Sequence, residues 1–381
     1  MRYSPFYMSG LLLAALGLGA PAIAATAPAP VSGAANPPAA VAPLPEQRSE
    51  ARFNPVLVYA DRVIREDTVW RGEVLVEGAV TVAPQATLTV EPGTVVRFRH
   101  KAAQAPLLVV QGRINAAGAK ETPIRFTSSF AVPAPGDWQG VMLLGSEKNN
   151  VLENCLIEGA QTGLEALYSN VTLKNVRAER SGTGMRFQDA LVVMESGGAS
   201  DCGTGLNFSE SEATLRNLSL IANRLALSAR RSSIYLQEAN LSGNRSAFSG
   251  DGCRVKIQGG ALLDNRSGVT LLECEGAVTG VKLVRNSEYG MSLTASRIRV
   301  TANQITGNGS GVLVFDGGSV AWDNAIHGNT GYDIYNAGIE EFRAPGNWWG
   351  VSGPKIFNNT GRGKVLYAPL LPGPPAPRQA Q

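Results

Sequence analysis

Asn223, Asn244, Asn265, Asn286, Asn308 and Asn329 recur at intervals of 21, 21, 21, 22 and 21 residues. A second column keeps almost the same beat: Gly163, Gly184, Gly205, Ala226, Ala247, Gly268, Gly290 and Gly311. Each member is followed by an apolar residue, from Leu164 and Met185 to Met291 and Val312. Two unlike columns sharing one period indicate a solenoid, in which each repeat is one coil and equivalent residues stack along the axis. A period near 21 residues is too short for paired-helix repeats of about 33 or more, and the segments lack a leucine-rich-repeat consensus. Short β-branched runs between turn residues leave an all-β fold, a right-handed parallel β-helix solenoid with coils of about 21–22 residues.

The columns assign roles. Ile157, Ala178, Ala199, Leu220, Leu241, Leu262, Leu283, Ile305 and Ile326 share one register, three residues before the Asn column where that column exists, and are expected to fill the core. A stacked Asn bonds its amide to the Asn of the next coil while satisfying turn backbone, so the six asparagines read as a structural ladder. The column glycines are expected at turns of positive φ, which select Gly first.

Residues 1–24 carry Arg2, the apolar run Leu11 to Leu18 and the sequence Ala22-Ile23-Ala24, the pattern of a secretory signal peptide cleaved after Ala24. Residues 25–53 read as an Ala/Pro-rich linker, 54–150 as irregular N-terminal coils and a cap, 151–371 as regular repeats and 372–381 as a Pro-rich tail. The expected location is periplasmic or secreted. No later stretch reaches the roughly 18 apolar residues that a membrane span requires. A net charge of +3 without basic runs argues against a nucleic-acid partner. Cys253 and Cys274 lie one repeat apart, and export permits oxidation, so a disulfide between neighbouring coils is expected. Cys155 and Cys202 fall in different columns and read as buried thiols.

Both ends of the solenoid carry more specific motifs. Val80-Thr81-Val82, Thr87 to Phe98 (TLTVEPGTVVRF), Pro123 to Ser128 (PIRFTS) and Trp138-Gln139-Gly140-Val141 open it. Gly346-Asn347-Trp348-Trp349-Gly350, Ser352-Gly353-Pro354 and Val365 to Leu370 (VLYAPL) close it. Together they resemble bacterial secreted right-handed parallel β-helix repeat proteins, of pectate-lyase-like architecture, over most of residues 56–371. That resemblance implies the fold and a range of roles, including polysaccharide lyases, glycosidases, epimerases, adhesins and a periplasmic maturation factor.

Catalytic constellations are hard to assemble. Inverting hydrolysis needs a carboxylic acid and a second carboxylate that activates water, yet the chain has no Asp-Asp pair, no Gly-His-Gly and only His100 and His327. Arg254-Val255-Lys256 matches one element of polygalacturonase-type sites, and reads as two solvated side chains. Calcium-dependent elimination needs converging carboxylates. Here Asp201 and Asp264 share a column three coils apart, each with an Arg one coil away, Arg180 and Arg285, a pattern of salt bridges between coils. His327 reads as a turn or groove residue, Trp348 and Trp349 as core capping. No catalytic residue, metal ligand or cofactor is expected.

Arg224, Arg245 and Arg266 each follow a ladder Asn, so three guanidinium groups line one edge in successive coils, about 4.8 Å apart at the backbone. An anionic partner would relieve their mutual repulsion. The expected function is an exported protein that recognises an extended, acidic polysaccharide without strong catalysis. A lyase or hydrolase with degenerate motifs, and a structural envelope or maturation protein, are the competing readings.

Overall fold

In a computed structural model, the described residues are 48–375, apart from 101–104, 147, 359 and 362. The signal peptide with its cleavage point, residues 25–47 of the linker and residues 376–381 of the tail lie outside them. Every regular element among the described residues is a β-strand. A 14-stranded sheet runs from Arg62–Ile64 to Ile356–Asn358, each strand parallel to the next. The other sheet consists of two ribbons that fuse where Asn150–Glu158, Asn170–Glu179 and Leu191–Ser200 run through both. Beyond them each coil gives two short strands, such as Arg254–Gln258 and Ala261–Leu263. The chain is a parallel β-solenoid, as the two columns required.

The core column holds its register from Ile157 to Ile326, and all nine residues are buried. Towards the N-terminus the same column runs through Phe126, Val96, Val74 and Leu57. Its steps of 31, 30, 22 and 17 residues follow from those numbers and show how irregular the opening coils are. Part of the sequence assigned to the linker belongs to this fold. Glu50 bridges antiparallel to Phe130, Arg48 pairs with Asp137, and Arg97 and Arg99 lie 5.1 and 5.3 Å over the Phe53 ring.

Corners explain both the ladder and a misread glycine column. Arg180, Asp201, Ala222, Gly243, Asp264, Arg285, Gly307 and Gly328 all have φ between 47° and 67°, and each immediately precedes a ladder position. Positive φ therefore falls on this column, while Gly184 and Gly268 lie outside the left-handed region. A Cβ at Gly184 would meet the Gly205 carbonyl oxygen at 2.6 Å, and one at Gly268 would meet that of Gly290 at 2.1 Å. Close approach of the next coil selects glycine there.

The Asn ladder is continuous. Asn265 Nδ2 donates to Leu241 O at 2.9 Å and to Asn286 Oδ1 at 3.0 Å, while Asn265 Oδ1 accepts from Asn244 N and Nδ2, both at 2.9 Å. The pattern repeats from Asn223 to Asn329, where Nδ2 turns to buried Asp333 at 2.8 Å and closes the stack. A second ladder, Asn303, Asn324 and Asn347, stands at another corner.

A third corner carries serine rungs, and it corrects the expected disulfide. Ser211 N donates to Ser232 Oγ, Ser232 N to Cys253 Sγ, Cys253 N to Cys274 Sγ and Cys274 N to Ser296 Oγ. Cys253 and Cys274 are free, buried thiols standing in for serine, so the bridge between them is not formed. Each sulfur is already engaged with backbone, including Asp251 O and Leu272 O, both at 3.2 Å. The hydrogen bond between the two sulfurs sets them apart, holding the Cys274 thiol above its ordinary value and the Cys253 thiol below it. Burial also pushes Cys155 up to about 12 and Cys202 up to about 11. Because serine serves at flanking rungs, Cys253→Ser/Cys274→Ser is expected to change stability by less than about 1 kcal/mol in urea denaturation. A loss of several times that, with a linked peptide in non-reducing mass mapping, would restore the bridge.

Candidate functional site

The outer face of the 14-stranded sheet carries the arginines. In Leu225–Arg230, Ser246–Asp251 and Ser267–Leu272, alternation sends Leu227, Phe248 and Val269 into the core and leaves Ser228, Ser249 and Thr270 outside. Arg224, Arg245 and Arg266 precede these strands and are exposed. Ladder backbone fixes their register, with Arg245 N donating to Asn223 O at 3.1 Å and Arg266 N to Asn244 O at 3.0 Å. They line a shallow cleft of about 480 Å³ whose floor is Leu225, Ser246, Ser249 and Ser267. The structure thus brings together all three arginines singled out by the sequence.

Glu288 ends the strip. It accepts from Arg266 Nε at 2.7 Å and from Ser267 Oγ at 2.6 Å. The Ser267 hydroxyl and the Arg266 guanidinium hold its carboxyl below the usual carboxylate range, Arg245 adding a smaller pull. Among the described residues, no carboxylate stands within salt-bridge distance of Arg224 or Arg245. The cleft therefore offers two uncommitted guanidinium groups and a third shared with Glu288. Sequence reasoning missed Glu288 because column counting puts Ser287 after Arg266. Ser287 does keep the rung, its N donating to Asn265 O at 2.9 Å, but the step from Asn286 to Asn308 holds one extra residue: Glu288 N donates to Arg266 O at 2.7 Å while Tyr289 pairs with Ser267, so Glu288 is inserted beside Arg266. The single 22-residue interval was the available signal.

Other candidate groups are occupied. Asp264 takes both Nε and Nη2 of Arg285 at 2.7 Å, the expected pair between coils. Arg180 turns away from Asp201 and, with Arg125, holds the buried carboxylate of Glu158. Arg254 pairs with Glu275 at 2.8 Å, and Lys256 lies 4.7 Å over the Tyr235 ring. A cleft of about 620 Å³ beside the serine corner is lined by four glutamates, 210, 212, 273 and 275, and three arginines, 231, 254 and 297. Its charges nearly cancel, which leaves little field for an anion. Trp349 is buried in the core, whereas half-buried Trp348 meets His327 at 4.7 Å along a cleft also lined by Lys282, Gln304, Pro374 and Pro375. His327 is thus a groove residue. No three His, Cys, Asp or Glu residues among those described gather as metal ligands.

Residues 63–190 match the family model described as a pectate-lyase like beta helix domain. The architecture is that of a parallel β-helix. No curated protein matches the chain. Among solved structures, the periplasmic alginate epimerase AlgG is similar at 12% identity, covering 80% of this chain and 78% of that one, with a TM-score of 0.46. The A-module of mannuronan C-5 epimerase AlgE6 from Azotobacter vinelandii is similar at 14% identity over 78% of this chain and 90% of that one, with a TM-score of 0.38. The GH136 lacto-N-biosidase from Eubacterium ramulus is similar at 9% identity, over 75% and 62% of the two chains, with a TM-score of 0.36. No helix among the described residues is long and apolar enough to cross a membrane.

Proposed function

We propose that this protein binds an extended anionic polysaccharide along the outer face of its 14-stranded sheet, outside the membrane, without transforming it. The observation that carries the reading is the cleft in which Arg224 and Arg245 stand without carboxylate partners above a serine floor. Guanidinium groups present paired N–H donors that fit carboxylate or sulfate oxygens, and hydroxyls on the floor suit sugar hydroxyls. A solenoid repeats its side chains along one axis, as a polysaccharide repeats its charges. Glu158, Asp264, Glu275 and Glu288 are each engaged with an arginine, and among the described residues the arginine cleft holds no carboxylate besides Glu288, which favours binding over turnover at that cleft.

Calorimetric titration of polygalacturonate against salt tests the proposal. Affinity is expected to fall steeply as salt rises, because the arginines are exposed and screening reaches such groups. Glu288→Gln keeps a partner for Ser267 and releases Arg266, so it should tighten binding several-fold. Salt-independent binding, or weaker binding by the Gln variant, would count against an anionic ligand.

A further inference from the structure

Lys282, Gln304, Ala325 and Trp348 stand in register as one row on four successive coils. The residue after Ala325, Ile326, is buried in the core, so Ala325 itself faces outward. Its single methyl group leaves a gap between Gln304 and Trp348, which lie two coil steps apart, about 9.6 Å at the backbone. Two van der Waals contacts of about 3.5–4.0 Å each and the pucker of one pyranose ring fill such a width. The gap is part of the cleft that His327, Pro374 and Pro375 also line, and its volume of about 460 Å³ lies in the range of small-ligand sites.

The lining has a definite chemistry. Trp348 supplies an indole wall, held by His327, which meets it edge-on at 4.7 Å. Lys282 and Gln304 are exposed, and no carboxylate lines the cleft among the described residues. Among those residues the Lys282 amine, the Gln304 amide and the Trp348 indole N–H also make no hydrogen bond within the protein. We infer that this cleft binds a single acidic pyranose, a uronate residue, against Trp348, with its carboxylate on Lys282 and its hydroxyls on Gln304 and the indole N–H. An aromatic wall takes the apolar C–H groups of the ring, and the unpaired amine favours an anion. Because the gap is one ring wide along the axis, a polymer lying along the coils cannot enter, whereas a free residue or a chain end can. The site stands apart from the arginine edge and does not depend on it.

Calorimetric titration of galacturonate, galactose and benzoate tests the site. The wild type should bind galacturonate at least about tenfold more tightly than galactose, which lacks the carboxylate, or benzoate, which lacks the hydroxyls. Ala325→Leu fills the gap from outside the core and keeps every backbone bond, so it should lose at least about tenfold on galacturonate with an unchanged thermal midpoint. Lys282→Gln should bring galacturonate down to the level of galactose. Arg224→Gln/Arg245→Gln/Arg266→Gln should bind galacturonate as the wild type does. No binding of galacturonate by the wild type, or equal binding by a folded Ala325→Leu variant, would overturn the inference and leave the arginine edge standing. If Ala325→Leu lowers the midpoint, Lys282→Gln decides, and unchanged galacturonate affinity there overturns the inference. Binding lost in the triple arginine variant but kept in Ala325→Leu would place the monomer at the arginine edge and also overturn it. Benzoate binding as tight as that of galacturonate would make the cleft a site for aromatic acids and overturn the sugar assignment.

Discussion

Asn265→Ala is expected to cost about 3–5 kcal/mol, because one truncation strands several buried polar groups. The alanine takes from Asn244 N and Leu241 O the partners recorded at 2.9 Å, and leaves Asn244 Nδ2 with Leu220 O and Asn286 Oδ1 with the backbone N of residue 265, each one bond poorer. None can turn to water, since the Asn rungs on either side are buried. Asn265→Asp should be at least as harmful: it keeps the acceptor but loses the donor, and it places a charge where no cation waits. Asn265→Ser should cost less, because Ser181 serves as a rung of the same column by accepting from Ala160 N at 3.2 Å. Urea denaturation, with hydrogen exchange of the flanking coils, measures the effect. In a solenoid the lost protection should centre on the coils beside residue 265, since each coil contacts mainly its neighbours. A cost under about 1 kcal/mol would mean that strand pairing alone holds the stack.

The repeat was legible because stacking forces equivalent residues into identical surroundings, so Asn223 to Asn329 and Ile157 to Ile326 announced their roles by spacing alone. The corner residues were harder to read. Left-handed φ falls on Arg180, Asp201, Ala222 and Arg285 as well as on glycines, so no single residue type marks that column. The serine ladder hid for a similar reason: Cys253 and Cys274 interrupt it, and a chemically special residue invited a chemical explanation. Both sulfurs fill rungs that serine fills elsewhere. The second Asn ladder has only three members, Asn303, Asn324 and Asn347, with steps of 21 and 23 residues, too few to stand out as a period.

The candidate site was legible in part. The arginine edge follows from the ladder, because a residue adjoining a buried Asn at a corner must emerge beside the strand that follows. Glu288 did not follow, since it is itself the inserted residue: Ser287 keeps the rung and Tyr289 pairs with Ser267. Arg180 and Glu158 were missed for a different reason. Glu158 is buried where its backbone oxygen accepts from Trp138 Nε1 at 2.9 Å and the loop before Trp138 closes over Gly159, whose Cβ would meet Pro133. Burial of a carboxylate demands compensation, so it draws Arg125 and Arg180 out of their own columns. Such loop coverage is not periodic and leaves no trace in column counting. The gap at Ala325 beside Trp348 was equally hidden, because the last coils depart from the 21-residue step.

Binding of an acidic polymer at the arginine edge is put to the test by the triple variant Arg224→Gln/Arg245→Gln/Arg266→Gln. Removing the stacked like charges relieves repulsion while replacing Arg266 gives up its exposed pair with Glu288, each worth at most about 1 kcal/mol, so the variant should fold with a nearly unchanged midpoint. Titrated with polygalacturonate at low salt, it should lose at least tenfold in affinity and most of its salt dependence, while any binding of a neutral polymer stays the same. A folded triple variant that binds polygalacturonate as tightly as the wild type, with the same response to salt, would contradict the account and reduce the edge to a solvated face.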